Sequence, residues 1–117
     1  MGSYCVPVRC QLSGLGFEAS STPTRFSILP PMKFEEIVEL VRQRKLEMPE
    51  GRSTTELFRK GADGIGKKLV EEAAESWMAA RFEDRDAQTL ELSQVLYYVA
   101  CMMAEKGLTL EEIEAKL

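Results

Sequence analysis

Two pairs of oxygen-bearing side chains stand three residues apart: Glu72 with Glu75, and Glu91 with Gln94. On a helix such residues are neighbours, roughly 5–6 Å between Cβ atoms. Carboxylates held that close repel one another, and a bound divalent cation is one reason for a chain to keep them together. Mg²⁺ suits such a set, because it takes hard oxygen ligands and binds through a few carboxylates plus substrate phosphates. Each feature also has a plainer reading. Glu-Glu-x-x-Glu is commonplace on solvated helices, and a lone Glu91 is more often a surface residue than a ligand. Lys68 paired with Glu72 at i+4 is worth only about 0.2–0.5 kcal/mol. What favours chemistry is the conjunction: two such pairs on consecutive helices that must pack together, with lysines beside one of them.

Composition removes the competing chemistries. The chain has no histidine, so imidazole ligands, Ser-His or Cys-His pairs and histidine bases are excluded. Any catalysis must rest on carboxylates, Lys, Tyr, hydroxyls or a metal. The three cysteines, Cys5, Cys10 and Cys101, fit neither a zinc spacing nor a paired framework, and Cys101 in an apolar helical stretch reads as a buried free thiol. A net charge of −4 argues against nucleic-acid partners. No apolar run approaches the ~20 residues that span a bilayer. At 117 residues, with 44% hydrophobic and 29% charged side chains, the chain fits one globular domain.

The elements that must position the pairs begin after residue 31. Residues 1–31 carry Pro7, Pro23, Pro30 and Pro31, one acidic residue and no lasting periodicity, which predicts a mobile tail. Arg9 and Gln11 interrupt any secretion-type apolar region. Met32 stands where the folded pattern begins, so the preceding residues are a candidate misassigned start, and 32–117 is the predicted domain. Phe34, Ile37, Val38 and Val41 recur as one face of a first helix, which fades near Met48-Pro49-Glu50-Gly51. Residues 52–62 read as a connecting segment. Asp63 is the candidate N-cap of a second helix to about Glu83. Asp84 or Asp86 caps a third, ended by Gly107, and Thr109 with Glu112 forms a capping box for a short last helix. The expected fold class is all-α, with four helices.

At 100° per residue, Ile65, Leu69, Ala73, Ser76 and Ala80 share one face of the second helix, and Lys68, Glu72, Glu75 and Ala79 run along its border. The third helix carries Leu92, Val95, Leu96, Val99, Met102 and Met103 over more than half its circumference, which predicts a buried helix. Its remaining face holds Glu91, Gln94, Tyr98, Cys101 and Glu105. Antiparallel packing of the two helices turns Glu72 and Glu75 towards Glu91 and Gln94. Trp77 and the methionines read as core, as do Tyr97 and Tyr98. So few helices cannot easily bury all this apolar surface, so a homodimer sharing a bundle of second and third helices is expected, with Val95, Val99 and Met102 at the shared core and Tyr98 nearer the cleft.

Longer motifs carry a resemblance. Lys60-Gly61 followed by Ile65-Gly66-Lys67-Lys68-Leu69-Val70-Glu71-Glu72-Ala73-Ala74-Glu75 resembles the signature of phosphoribosyl-ATP pyrophosphohydrolases. Glu91-Leu92-Ser93-Gln94-Val95-Leu96-Tyr97-Tyr98 is similar to that family's second motif, and residues 106–113 to its ending. Thr54 matches the usual threonine before Lys-Gly. The likeness covers about residues 34–117.

The resemblance implies a MazG-like all-α nucleotide pyrophosphohydrolase, magnesium-dependent, cytoplasmic and at least dimeric. It implies conversion of phosphoribosyl-ATP and water to phosphoribosyl-AMP and pyrophosphate, the second step of histidine biosynthesis. The family's E-x-x-E and E-x-x-D metal pairs fall on Glu72 and Glu75, and on Glu91 with position 94. This chain has Gln94 there, which offers a neutral amide oxygen and no charge. Glu71 and Glu72 are the candidate catalytic carboxylates, Glu71 as compensating ligand or holder of the attacking water. Lys60, Lys68 and Thr54 are the candidate substrate contacts. Two alternatives stand beside it: a house-cleaning nucleoside triphosphate pyrophosphohydrolase, and a non-enzymatic helical dimerisation module.

Overall fold

The computed structural model describes residues 31–117, so the expectations for the first 30 residues, Cys5 and Cys10 among them, lie outside the described residues. These residues form five helices and no strand: α1 Phe34–Glu47, α2 Ser53–Arg59, α3 Gly61–Phe82, α4 Arg85–Lys106 and α5 Leu110–Glu114. The all-α expectation holds.

Local chemistry accounts for most of the boundaries. Glu36 accepts a hydrogen bond from the Lys33 N–H (2.7 Å) at the start of α1. Asp84 caps α4 by accepting from the Ala87 N–H (2.9 Å). Gly107 ends that helix in the left-handed region at φ 69°, where a side chain would be strained. Thr109 and Glu112 form the capping box of α5, with reciprocal bonds of 3.1 and 2.8 Å.

One segment departs from expectation. Residues 53–59, read as a connection because of their hydroxyls, are helix α2, and the chain has five helices rather than four. Hydroxyls compete with the helix when they bond locally. Here they bond elsewhere: Thr55 Oγ1 donates to the Pro49 carbonyl (2.6 Å), and Thr54 Oγ1 shares a hydrogen bond with the Tyr97 hydroxyl (3.1 Å). Thr54, Thr55, Leu57 and Phe58 are thereby all buried.

Lys60 both closes α2 and opens α3. The corner needs glycine twice. Gly61 takes a φ of 71°, and a Cβ on Gly64 would stand 2.4 Å from the Cβ of Lys60. Helix α3 therefore starts two residues before Asp63, which sits in its first turn near the positive end of the dipole instead of capping it.

Helices α3 and α4 pack antiparallel, as expected: Gly61 lies beside Glu105 at one end, and Gly66 beside Met102 further along. Helices α1 and α2 cover them around a core of Val41, Leu57, Phe58, Ile65, Tyr97, Tyr98, Ala100 and Cys101. Cys101 is a buried free thiol. Lys45 of α1 bridges to Glu105 of α4 (2.9 Å) and lies 5.3 Å from the centre of the Phe58 ring.

Helix α4 turns Glu91, Gln94, Tyr98 and Cys101 inward, as antiparallel packing requires, and Met103 is buried with them. Its apolar side, expected to be buried, is so only in part: Leu92 and Leu96 are exposed and Val95 and Val99 are half-buried. Helix α3 likewise turns its Glu72 stripe inward. Glu72 and Ala79 join Ile65 inside, whereas Ala73 and Ala80 are exposed. Trp77, expected in the core, is 65% exposed. The stripes that carry Glu72 and Glu91 face each other, which leaves Trp77, Leu92 and Leu96 outside.

Candidate active site

The site lies where the inward stripes of α3 and α4 meet. Glu72 on α3 is 1% exposed, Glu91 on α4 is 5% and Gln94 is 2%. No other acidic side chain among the described residues is buried. Burial of a carboxylate removes its hydration, a cost that ionised groups escape only by pairing or by taking up a proton. Burial, followed by the nearby Glu91 charge, pushes the Glu72 carboxyl up to about 7, with Glu75 and Glu71 adding to the rise and Lys68 opposing it. The four carboxylates and Lys68 thus form one electrostatic cluster centred on Glu72.

Within the cluster the hydrogen bonds are few. Gln94 Nε2 donates to Glu91 Oε2 (3.2 Å). Lys68 Nζ donates to Glu71 Oε2 (3.1 Å), so the lysine pairs at i+3 and not with Glu72 at i+4. Glu72 Oε2 is buried with no hydrogen-bond partner. A buried carboxylate oxygen without a donor, beside a second buried carboxylate, is a donor set that fits a hard divalent cation. Among the described residues no three His, Cys, Asp or Glu side chains are arranged to hold an ion together. The Glu72–Glu91 pair is therefore the nucleus of the set.

The expected residues fall into two groups. Glu71, Glu72, Glu75, Glu91, Gln94 and Lys68 come together at the α3–α4 interface. Thr54 and Lys60 stand apart from it. Thr54 has no exposed surface and shares its hydroxyl with Tyr97. Lys60 is exposed at the α2–α3 corner, about 18 Å along the axis from Glu72. The ring of Tyr97 meets that of Tyr98 edge-on at 5.1 Å. Sequence reasoning missed the hydrogen bond from Gln94 to Glu91; the i, i+3 spacing of a donor and an acceptor was the available signal.

Comparison with known proteins bears on the same elements. Residues 34–117 match the sequence model of the family described as phosphoribosyl-ATP pyrophosphohydrolase. Two curated relatives, both named phosphoribosyl-ATP pyrophosphatase, come from Streptomyces avermitilis and Streptomyces coelicolor. Each is 47% identical over 85 residues, covering 72% of this chain and 94% of the relative. The matched span contains all five helices and every residue of the carboxylate cluster. With buried carboxylates facing one another across α3 and α4, the chain belongs to the phosphoribosyl-ATP pyrophosphohydrolase family.

Proposed function

We propose that the α3–α4 cluster hydrolyses phosphoribosyl-ATP between its α and β phosphates, releasing phosphoribosyl-AMP and pyrophosphate in the second step of histidine biosynthesis. The observation that carries this reading is the Glu72–Glu91 pair, buried without a cation partner between them, in a chain whose relatives carry that enzyme's name. Glu72 and Glu91 would hold Mg²⁺, with Glu75 as a further candidate ligand one turn from Glu72 and Gln94 beside Glu91. When bound, the ion supplies charge neutralisation at the phosphate oxygens and lowers the pKa of water.

The chain's own residues have distinct tasks. Glu71 lies at the rim of the cluster, its side chain 40% exposed and held by Lys68. It is placed to hold the attacking water and accept its proton as oxygen adds to the α phosphorus and the bond to the bridging oxygen breaks. Lys68 offsets the negative charge that moves onto the leaving pyrophosphate. Phosphoribosyl-ATP carries phosphate at both ends, and Lys60, a long way up the same helix, is placed for the one remote from the reaction. Thr54 supports Tyr97 from behind.

The fold is of the MazG-like kind in this reading, and its unit is a homodimer. Val70, Ala73, Trp77 and Ala80 are all exposed and follow one stripe of α3, while Leu92 and Leu96 do the same on α4. Exposed apolar stripes of this extent mark an interface. A second copy related by two-fold symmetry would bury them in a shared bundle. No helix among the described residues is long and apolar enough to cross a membrane.

The test is turnover of phosphoribosyl-ATP with and without Mg²⁺, beside dUTP, dCTP and ITP. Magnesium-dependent pyrophosphate release from phosphoribosyl-ATP in preference to the others is expected. Preference for a non-standard triphosphate would move the chain to a house-cleaning role, and no release from any of them would leave a dimerisation module.

A further inference from the structure

We infer that Gln94 is a positioning residue for Glu91, fixing that carboxylate through its amide NH₂, and is not itself an oxygen ligand of the cation. The inference rests on the metal reading above and concerns how the chain builds that site without an acid at position 94. Gln94 and Glu91 are both buried on one face of α4, and Gln94 Nε2 stands 3.2 Å from Glu91 Oε2. An ionised carboxylate only accepts hydrogen bonds, so the NH₂ end of the amide must be the end that faces it. The orientation is thus chemically forced, and Gln94 Oε1 is turned away from the Glu91 oxygen it holds. Occupying Oε2 leaves Oε1 as the Glu91 oxygen available to a cation.

Charge supports the same assignment. Glu72 already feels Glu91, Glu75 and Glu71, with Lys68 as the opposing charge. Another carboxylate on this stripe would add repulsion inside a buried cluster, whereas a neutral donor stabilises the ionised form of its neighbour. Because donor and acceptor are one helical turn apart on a well-packed helix, the bond costs little further ordering when substrate arrives. Groups that hydrogen-bond a ligating carboxylate typically change metal affinity by about 10–100-fold when removed.

The experiment uses the full chain and Mn²⁺ as a paramagnetic probe, with free Mn²⁺ followed by electron paramagnetic resonance. Gln94→Met keeps the length of the side chain and removes both donor and acceptor. It is expected to weaken Mn²⁺ binding about tenfold or more, and to lower the thermal midpoint of the metal-free protein in EDTA. In a Glu91→Gln background the same substitution should shift that midpoint much less, since the carboxylate it serves is gone. Weaker Mn²⁺ binding with an unchanged metal-free midpoint would make Gln94 a direct ligand and overturn the inference. Mn²⁺ binding and midpoint both unchanged would overturn it as well, while leaving the metal reading standing. No Mn²⁺ binding by the unsubstituted protein would remove both. A measurement without substitution guards against misfolding: the side-chain amide ¹⁵N resonance of Gln94 should exchange slowly with solvent in metal-free and Mg²⁺-loaded protein. Exchange as fast as that of half-buried Gln43 or Gln88 would overturn the positioning role.

Discussion

Glu72 and Glu91 are buried opposite one another at the α3–α4 interface, and Glu91 is the charged neighbour that most raises the proton affinity of Glu72. Two buried acids against each other destabilise a fold unless a proton or a cation joins them. The pair is therefore a place where the metal-free chain carries a cost in stability.

Removing one charge should separate the two effects. Glu72→Gln is expected to raise the stability of the metal-free protein at pH 8 by about 1–3 kcal/mol, because a buried ionised group becomes neutral. The same substitution should lower turnover by about 10²-fold or more, the scale of losing a group that stabilises transition-state charge. Glu91→Gln should behave alike. Denaturant melts in EDTA and pyrophosphate release with Mg²⁺ check the two arms. Near-normal turnover in either variant would place the metal elsewhere.

The pH dependence follows from the same carboxyl. Its folded-state value of about 7 lies above the ordinary 4.5, so between these limits the native protein holds a proton that the unfolded chain has released. Stability of the metal-free protein then falls as pH rises from about 4.5 to about 7, by up to about 1.4 kcal/mol per unit. A divalent ion competes with that proton, so its apparent affinity should weaken about tenfold per unit as pH drops below 7. Melting curves at pH 5, 6, 7 and 8 with EDTA or Mg²⁺ test this. A metal-free midpoint that climbs steadily towards pH 8 would contradict it.

Much of this was legible in the sequence. The pairs at 72/75 and 91/94 are set by helical periodicity, the caps at Asp84 and Thr109 by local hydrogen bonding, and the antiparallel packing of α3 and α4 by the short turn between them. What periodicity cannot tell is which of two faces is buried by the same chain. Helix α4 is apolar on one side and bears Glu91, Gln94, Tyr98 and Cys101 on the other, and the usual rule sends the apolar side inward. Here Leu92 is 56% exposed and Glu91 is buried. The rule assumes that the apolar side of a helix is the side its own chain buries, and a pair of facing carboxylate stripes breaks that assumption. Helix α2 was hidden for a different reason, since the partners that satisfy Thr54 and Thr55 lie 43 and 6 residues away.

The outward stripe of α4 gives a test of assembly. Leu96 is exposed in the single chain, so Leu96→Glu should leave its fold intact. In a dimer the new charge would be desolvated, and association should weaken by at least about 2–3 kcal/mol. Sedimentation should show a dimer for the unsubstituted chain and a shift to monomer for the variant, with lower activity. An unsubstituted chain that is monomeric at micromolar concentration and active would contradict the shared bundle.

Lys60 and Thr54, the two expected contacts that lie away from the cluster, should respond in opposite ways. Lys60 is exposed, packs its stem over Gly64 and stands about 18 Å of helix from Glu72. Lys60→Ala should therefore raise KM for phosphoribosyl-ATP several-fold with kcat little changed, the pattern of lost uniform binding. It should leave turnover of a nucleotide without the second phosphate unaffected. Thr54→Val removes the hydroxyl shared with Tyr97 and leaves that buried phenol one hydrogen bond short, which costs about 1–3 kcal/mol of stability. Its kcat and KM per folded molecule should stay near normal, because Thr54 has no surface to offer a substrate. Thermal melts and steady-state kinetics on the two variants decide the matter: a KM effect at Thr54 with unchanged stability would return that residue to the substrate site, and a kcat loss at Lys60 would place it at the reacting phosphates.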